Sequence, residues 1–391
     1  MIRTFLCTAP SANNFAIPDS RIWIDNLQRG LQELGVQVIL PSFDTHRHME
    51  ACLGNINGVD PQEARALYSS LLLDDVKIAH SNQGLDLYIG YLWSIHILPE
   101  AIRQIGKLGI PTVLFFCNAA HQFHHVEEIA PFFDYCMVPE EQALKKYRSV
   151  GANPLHIQMA ADPDFYRPVV GTQQYDVSFV GQKYLNRGDY IAYLAWHDID
   201  VQVWGPGWWQ LRTYVDNLPL HRKFRRRFGN IKRKAQREFG INPTSYPLPY
   251  DSFGPILTDQ EMVAVHSLSR IALNFSEVVD EITGQVKRHI RLRDFEIPMS
   301  GGLMFTGYQS ELRTYYEIGK EIVCYDDEQE LLDKCIYYLV HEDEAKKIRL
   351  AGHQRARRDH TWANRFRQLF LHIGLLPPKS IGSTESKGPQ H

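Results

Sequence analysis

The sequence lacks a strong charge imbalance and a long apolar run. Its 391 residues carry a formal net charge of -3, so the chain as a whole has no electrostatic reason to bind nucleic acid or a membrane surface. No apolar run approaches the roughly 20 residues that a membrane-spanning helix needs. We therefore expect no transmembrane segment, and a cytoplasmic protein whose contact with membranes is at most peripheral.

Cysteine is scarce and scattered. The six cysteines form no CxxC pair and no close group with histidine, which excludes a structural zinc site of cysteine ligands and a thioredoxin-like motif. Four of them lie in short apolar runs, where free cysteine behaves as a small hydrophobic side chain. This usage is typical of a reducing compartment.

Apolar and amphipathic stretches alternate along the first half of the chain. The alternation predicts β-α-β units, in which successive strands pair in parallel. A polar segment at residues 161–168, which contains two prolines, then interrupts it and marks a domain boundary. The runs predicted to be strands are residues 2–7, 36–40, 85–91, 111–117, 135–138 and 155–159.

The alternation restarts after this boundary and predicts a second α/β domain. We expect an N-terminal domain over residues 1–168 and a C-terminal domain over 169–375, followed by a disordered tail over 376–391. Residues 208–258 are rich in Arg, Lys, Pro and Tyr and are predicted to be an insertion. Because doubly wound sheets bind ligands at the carboxyl ends of their strands, two such sheets predict a cleft between the domains. The second set of predicted strands is residues 176–181, 201–205, 271–274, 303–306 and 322–325.

The C-terminal half carries the most distinctive sequence blocks. They are DVSFVG at residues 176–181, VWGPGW at 203–208, RDFEIPMSGGL at 293–303, GKEIVCY at 319–325 and HTW at 360–362. Together they resemble glycosyltransferases of the spore maturation protein CgeB type. The resemblance implies a GT-B fold, in which two Rossmann-like domains face each other across a cleft. It also implies that the C-terminal domain holds the nucleotide and the N-terminal domain holds the acceptor.

For activity, the resemblance implies transfer of a hexose from a nucleotide-diphosphate sugar to a hydroxyl acceptor, with no metal and no further cofactor. Glu296 would accept hydrogen bonds from the hydroxyls of the ribose or the sugar. Related enzymes often carry a second glutamate eight positions earlier, where this chain has Arg288. The alternative for Glu296 is a charged position on a helix surface, paired with Arg293 at i,i+3 spacing.

Positive charge in the donor half has an independent chemical rationale. Breaking a sugar–diphosphate bond leaves an anionic diphosphate, which preorganised positive charge stabilises. We predict that a helix beginning near Gln285 directs its N-terminus, Arg288 and Arg293 at the phosphates, and that Arg293 acts in catalysis with Glu296. The alternative is a solvated basic face, the interpretation that we favour for Arg291.

Two glycine turns predict the backbone part of the same phosphate site. Gly181 and Gly205 end predicted strands, and glycine allows the backbone to approach a phosphate closely. Lys183 and Arg187 follow Gly181 and are predicted to bind phosphate as well. The alternatives are a simple chain reversal for the glycines and ordinary exposed charge for the two basic residues.

A polar cluster follows the strand predicted at residues 111–117. Asn118, His121, His124 and His125 would lie at the cleft-facing end of the first sheet. We predict that His121 is the general base that takes the proton of the acceptor hydroxyl. The run HQFHH lacks the glutamate of the HExxH motif, so no metal site is predicted. The alternative for these histidines is an ordinary polar surface.

A basic run covers residues 221–237, with nine Arg or Lys and no acidic residue. It would attract an anionic polymer, nucleic acid or a lipid-linked acceptor at a membrane surface, or it packs as a basic helix on acidic neighbours. Three alternatives to a transferase therefore stay open. They are a non-catalytic nucleotide-sugar-binding protein on the same scaffold, a polyanion-binding protein that uses this run, and a nucleotide-sugar epimerase.

Overall fold

A computed structural model of the protein describes residues 1–8, 21–208 and 252–376. The basic run at 221–237 and nearly all of the predicted insertion and tail lie outside these residues. Within the described part, no helix is both long enough and apolar enough to cross a membrane.

The first half of the chain builds one parallel sheet. Its strands follow the order β2-β1-β3-β4-β5-β6, and every neighbouring pair is parallel. Helices cover both faces of this sheet. Strands β3 and β4 are therefore buried along their whole length and consist mainly of apolar residues. The strands are β1 (Arg3–Thr8), β2 (Gln37–Ile39), β3 (Leu87–Tyr91), β4 (Thr112–Phe115), β5 (Tyr135–Val138) and β6 (Pro154–His156).

Five helices accompany this sheet, and one of them is a 23-residue helix for which the sequence interpretation assigned no element. That helix begins where the Asp60 carboxylate accepts hydrogen bonds from the backbone N–H groups of Gln62 and Glu63, and Pro61 fits the first helical position. The helices are α1 (Ile22–Glu33), α2 (Thr45–Cys52), α3 (Pro61–Gln83), α4 (Pro99–Gly106) and α5 (Leu144–Ser149).

The second half builds a second parallel sheet and a separate hairpin. The strands are β7 (Tyr175–Val180), β8 (Val201–Trp204), β9 (Ser269–Leu273), β10 (Glu277–Val279), β11 (Val286–Arg288), β12 (Met304–Gly307) and β13 (Val323–Tyr325). Five of them form the parallel sheet in the order β13-β12-β9-β7-β8, and β10 pairs with β11 in antiparallel orientation. The helices are α6 (Arg187–Trp196), α7 (Asp259–Leu268), α8 (Arg293–Met299), α9 (Leu312–Tyr315), α10 (Glu328–Val340), α11 (Glu342–Asp359) and α12 (Trp362–His372).

The β10–β11 hairpin corrects the predicted helix start. The prediction of a helix beginning near Gln285 is wrong. Residues 277–279 pair with residues 286–288 as strands, and α8 begins only at Arg293. The turn between the strands explains the difference. Gly284 has a φ of +69°, and the Asp280 carboxylate accepts a hydrogen bond from the backbone N–H of Thr283 at 2.9 Å.

The C-terminal helix returns to the first half of the molecule. Among the described residues, three helices follow β13, and the last of them, α12, packs against α1. The ring of Trp362 lies 5.6 Å from the ring of Phe115, and the backbone N–H of Ala161 donates to the carbonyl of His360. These contacts hold the end of the chain against the N-terminal sheet.

The closeness of α1 and α12 gives a prediction about stability. A Cβ atom added at Gly30 would lie 2.4 Å from the Cβ of Trp362, so Gly30→Ala must push the helices apart. We expect a loss of about 1–3 kcal/mol in the free energy of unfolding, measured with urea. Gly106→Ala is the matched control, because an added Cβ there meets no atom within 4 Å. Equal effects of the two substitutions would contradict the packing described here.

Candidate active site

One cavity of about 490 Å³ lies between the two halves of the chain. Its walls come from the carboxyl ends of strands in both sheets. Tyr91 ends β3 and Asn118 follows β4 in the first sheet, whereas Gly181 follows β7 and Gly205 follows β8 in the second. This is the place where parallel sheets bind their ligands.

Two glycine turns pack directly against each other on the C-terminal wall. Gly205 has a φ of +127°, and a Cβ atom there would lie 2.5 Å from the carbonyl oxygen of Gly181. The indole Nε1 of Trp208 donates to that same oxygen at 2.8 Å. The turn at 205 therefore needs glycine, and a Cβ atom at Gly181 would lie 2.7 Å from the ring of Phe179. Both glycines line the cavity, and their contact with phosphate stays a prediction.

Arg187 begins helix α6 and lines the cavity although its residue is only 7% exposed. Its Nη1 donates to the carbonyl of Gln182 at 2.9 Å, and its guanidinium lies over the rings of Phe179 and Tyr184. Burial, together with the positive charge of Arg291, lowers the pKa of Arg187 to about 9. The side chain therefore remains charged at neutral pH at the edge of the cavity.

Arg291 and Arg293 extend this positive wall. Arg291 donates from Nη2 to the carbonyl of Glu277 at 2.9 Å, and burial lowers the pKa of its guanidinium. It is partly buried and lines the cavity, so the solvated face that we favoured for it is wrong. Arg293 also lines the cavity, with a side chain that is 23% exposed.

Glu296 lies beneath Arg293 and outside the cavity lining. Its carboxylate is fully buried, forms an ion pair with Arg293 and accepts a hydrogen bond from the hydroxyl of Tyr166. Although burial disfavours the charged guanidinium, the neighbouring carboxylate raises the pKa of Arg293. The i,i+3 pair considered in the sequence is present, and it holds Arg293 at the cavity. A direct contact of Glu296 with ribose or sugar stays a prediction.

Comparison with known proteins identifies the fold. Residues 190–370 match the family described as Glycosyl transferase-like. Sucrose-phosphate synthase from Thermosynechococcus elongatus is similar over 96% of this chain and 99% of its own, with 12% identity and a TM-score of 0.55. Anabaena HepE in complex with UDP and glucose is similar over 96% of this chain and 100% of its own, with 11% identity and a TM-score of 0.55. The chain has the GT-B fold.

A solved structure of similar fold carries the name of a different activity. A putative UDP-N-acetylglucosamine 2-epimerase from Listeria monocytogenes is similar over 97% of this chain and 98% of its own, with 10% identity and a TM-score of 0.50. At such identities the likeness establishes the fold alone. No curated protein sequence matches the chain. The relationship to the CgeB type in particular stays a prediction.

Three other predicted phosphate ligands lie outside the lining of the GT-B cavity. Arg288 donates to the Glu277 carboxylate at 3.0 Å and to the carbonyl of Asp326 at 2.7 Å. Gln285 is exposed in the hairpin turn, and Lys183 is exposed next to the Gly181 turn. The hairpin is the reason for the first two positions, because it replaces the helix that was expected to direct them at the cavity.

The tip of the hairpin contacts the N-terminal half across the GT-B cleft. The Glu281 carboxylate accepts a hydrogen bond from the side-chain amide of Gln122 at 2.5 Å. Its other oxygen lies 3.3 Å from Nε2 of His124 and 3.4 Å from Nε2 of His125. The predicted polar cluster therefore does lie at the cleft, and two of its histidines contact a carboxylate of the opposite half.

His121 lines the cavity from the N-terminal side and faces a histidine that the sequence interpretation missed. Its ring lies 5.0 Å from the ring of His289, which follows β11 and lines the same cavity. Burial, and next the neighbouring His289, lower the pKa of His121 to about 3. Since a general base works best with a pKa near the working pH, His121 alone is a weak base for a hydroxyl. Its role stays a prediction.

The buried position of Glu296 gives a prediction that separates its two possible roles. Glu296→Gln removes the charge partner of Arg293, so we expect the free energy of unfolding to fall by about 1–3 kcal/mol. Glu317→Gln, which breaks only an exposed pair with Lys320, should change it by less than about 1 kcal/mol. Urea unfolding measures both. A variant Glu296→Gln with unchanged stability and weakened nucleotide binding would instead support a direct contact with the ribose.

Proposed function

We propose that this protein is a glycosyltransferase that moves a sugar, a hexose by the sequence resemblance, from a nucleotide-diphosphate sugar to a hydroxyl acceptor. The observation that carries the proposal is the presence of Arg187, Arg291 and Arg293 on one wall of the interdomain cavity. The match of residues 190–370 to the Glycosyl transferase-like family supports it. So does the complex of HepE, on the same fold, with UDP and glucose.

The arginines are short of hydrogen-bond partners in a way that favours an anion. The Nε atoms of Arg187 and Arg291 are buried and have no partner among the described residues. A buried donor without a partner costs about 1–3 kcal/mol, and a charged donor costs more. A diphosphate in the cavity would neutralise the guanidinium charges, and it would accept hydrogen bonds from the Nε atoms once the side chains turn toward it. No metal ion is needed at the phosphates in this arrangement.

The start of helix α6 adds to the proposed diphosphate site. The helix follows the Gly181 turn and begins at Arg187, so its first backbone N–H groups lie next to a cavity-lining segment. The positive end of the helix dipole and the guanidinium of Arg187 favour a phosphate at such a position. As the sugar–diphosphate bond breaks, the same groups would stabilise the charge that develops on the leaving diphosphate.

The acceptor belongs, in this proposal, on the opposite wall. The N-terminal side of the cavity is lined by Trp23, Tyr91 and Trp93. His121, which follows them in the sequence, lines the same side. Holding the acceptor hydroxyl against the sugar is itself a large part of catalysis, because it replaces an encounter in solution. The low pKa of His121 leaves the removal of the hydroxyl proton without a strong base.

Substitution of the unpartnered arginines tests the proposal. The donor is first chosen from a panel of nucleotide sugars as the one that raises the melting temperature most. We then expect Arg187→Met and Arg291→Met each to lower the rate of nucleotide-diphosphate release roughly 100-fold, because each removes charge stabilisation of the leaving group. Arg313→Met is the matched control. The Arg313 side chain is exposed, and among the described residues its hydrogen bond and its cation–π contact are both with Tyr308.

The same assay separates the alternatives. Binding of a nucleotide sugar without release of nucleotide, with every acceptor tried, would indicate a non-catalytic binding protein. Conversion of the donor into its epimer without an acceptor would indicate an epimerase. Equal losses in Arg187→Met and Arg313→Met would contradict the specific role of the cavity arginines.

A further inference from the structure

A group of three potential metal ligands lies at the cavity wall where the two halves meet. One ligand atom from each of His121, Glu140 and His289 lies within 4.8 Å of the other two. His121 and Glu140 belong to the N-terminal half, and His289 belongs to the C-terminal half. All three residues are buried, with exposures of 8%, 1% and 3% respectively.

The polar atoms of this group are poorly satisfied by the described residues. Neither ring nitrogen of His289 has a hydrogen-bond partner, and Nδ1 of His121 has none either. The Glu140 carboxylate accepts a hydrogen bond from the backbone N–H of Ala120 at 3.1 Å, and its other oxygen lies 3.5 Å from Nδ1 of His289. Buried polar atoms normally have partners, so three unpaired imidazole nitrogens around a buried carboxylate point to a missing ligand.

The chemistry of the group is that of a metal-ion site. Glu140 places a buried carboxylate next to the two imidazoles, whereas Asp280 is already paired with Lys146 and Lys287. Neutral imidazole nitrogens and a carboxylate oxygen are also the ligand types that zinc prefers. The Glu140 carboxylate also accepts a hydrogen bond from the side-chain amide of Gln142 at 3.4 Å, so the atoms left without partners are the imidazole nitrogens.

We propose that His121, Glu140 and His289 bind one divalent transition-metal ion, for which zinc fits the ligand set best. Two histidines and one glutamate leave the fourth position of a tetrahedral zinc free, as in catalytic zinc sites. Because His121 and His289 both line the cavity, that fourth position faces the space where a substrate would bind. The site joins both halves of the chain, so metal binding also stabilises their contact.

A second group of the same type makes a weaker site. His124 and His125 lie near the Glu281 carboxylate, but the Glu281 side chain is 43% exposed and already accepts a hydrogen bond from Gln122. The Glu281 oxygens therefore have partners or water, although Nδ1 of His124 is buried without a partner among the described residues. We assign this group to the contact between the halves, and it provides an internal control.

If the proposed function holds, the metal site supplies what the acceptor wall lacks. A hydroxyl oxygen in the fourth position loses its proton to solvent more readily, since a bound metal lowers the pKa of its ligand. That oxygen then bonds to the sugar as the sugar–diphosphate bond breaks and the electron pair leaves with the diphosphate. This consequence rests on the proposed function, whereas metal binding itself does not.

Titration of the full-length, chelator-treated protein with Zn²⁺ and with Co²⁺ tests the site. We expect one ion per chain and, for Co²⁺, the visible absorption typical of tetrahedral coordination. His289→Ala should weaken metal binding by at least about tenfold. Substitution of groups that only support the metal ligands already weakens metal binding by about that factor, and a ligand should matter at least as much. Glu140→Gln, which keeps the shape of the side chain, should do the same, and circular dichroism checks that each variant folds.

The double variant His124→Ala/His125→Ala is the matched control and should bind metal as tightly as the parent protein. Failure of the parent protein to bind either ion overturns the proposal. So does a loss of binding in the double variant with normal binding in His289→Ala. Metal binding is measured without a nucleotide sugar, whereas the transferase proposal is tested by nucleotide release. The failure of one proposal can therefore be distinguished from the failure of the other.

Discussion

Burying arginine side chains at the edge of the second sheet costs desolvation free energy, and the contacts that offset this cost determine how the cavity wall is built. Arg187 stacks on two aromatic rings, Arg291 is tied to the carbonyl of Glu277, and Arg293 is paired with the buried Glu296. Each contact offsets part of the desolvation of a guanidinium. None of them satisfies the Nε of Arg187 or Arg291. The wall thus concentrates positive charge at the cavity, and in the proposed function this charge faces the diphosphate.

Contacts between the halves keep this wall opposite the acceptor wall. The hairpin tip reaches the N-terminal half through Glu281, and α12 returns to pack on α1. Tyr166, from the segment that connects the two sheets, donates its hydroxyl to Glu296. The position of Arg293 therefore depends on the connecting segment as well as on its own helix. Such coupling gives a cavity between two domains a defined shape.

The sequence was sufficient to predict the two parallel sheets and the glycine turns. Strands such as β4 and β8 are short apolar runs that fall within the predicted stretches, and Gly181 and Gly205 follow their strands as predicted. The hairpin was missed because its strands have three residues each, which is too few for a period-2 pattern. With the hairpin missed, Gln285 and Arg288 were placed at the phosphates.

The chemistry of the cavity was harder to predict for a similar reason. Arg291 and His289 carry no motif, and only the turn after β11 brings them to the cavity beside His121, which is far away in the sequence. Glu296 was recognised, but its burial depends on Tyr166 and on packing that no local pattern reports. Sequence patterns thus located the wall of the site, whereas tertiary contacts decide which side chains line it.

The most direct measurement of the central claim compares the affinities of nucleosides, their monophosphates and their diphosphates for the parent protein by isothermal titration calorimetry. If the arginine wall binds the diphosphate as we propose, the diphosphate of the preferred base should bind at least about tenfold more tightly than its monophosphate. The difference should shrink as salt is added. Equal affinities for the monophosphate and diphosphate of every base would contradict the account.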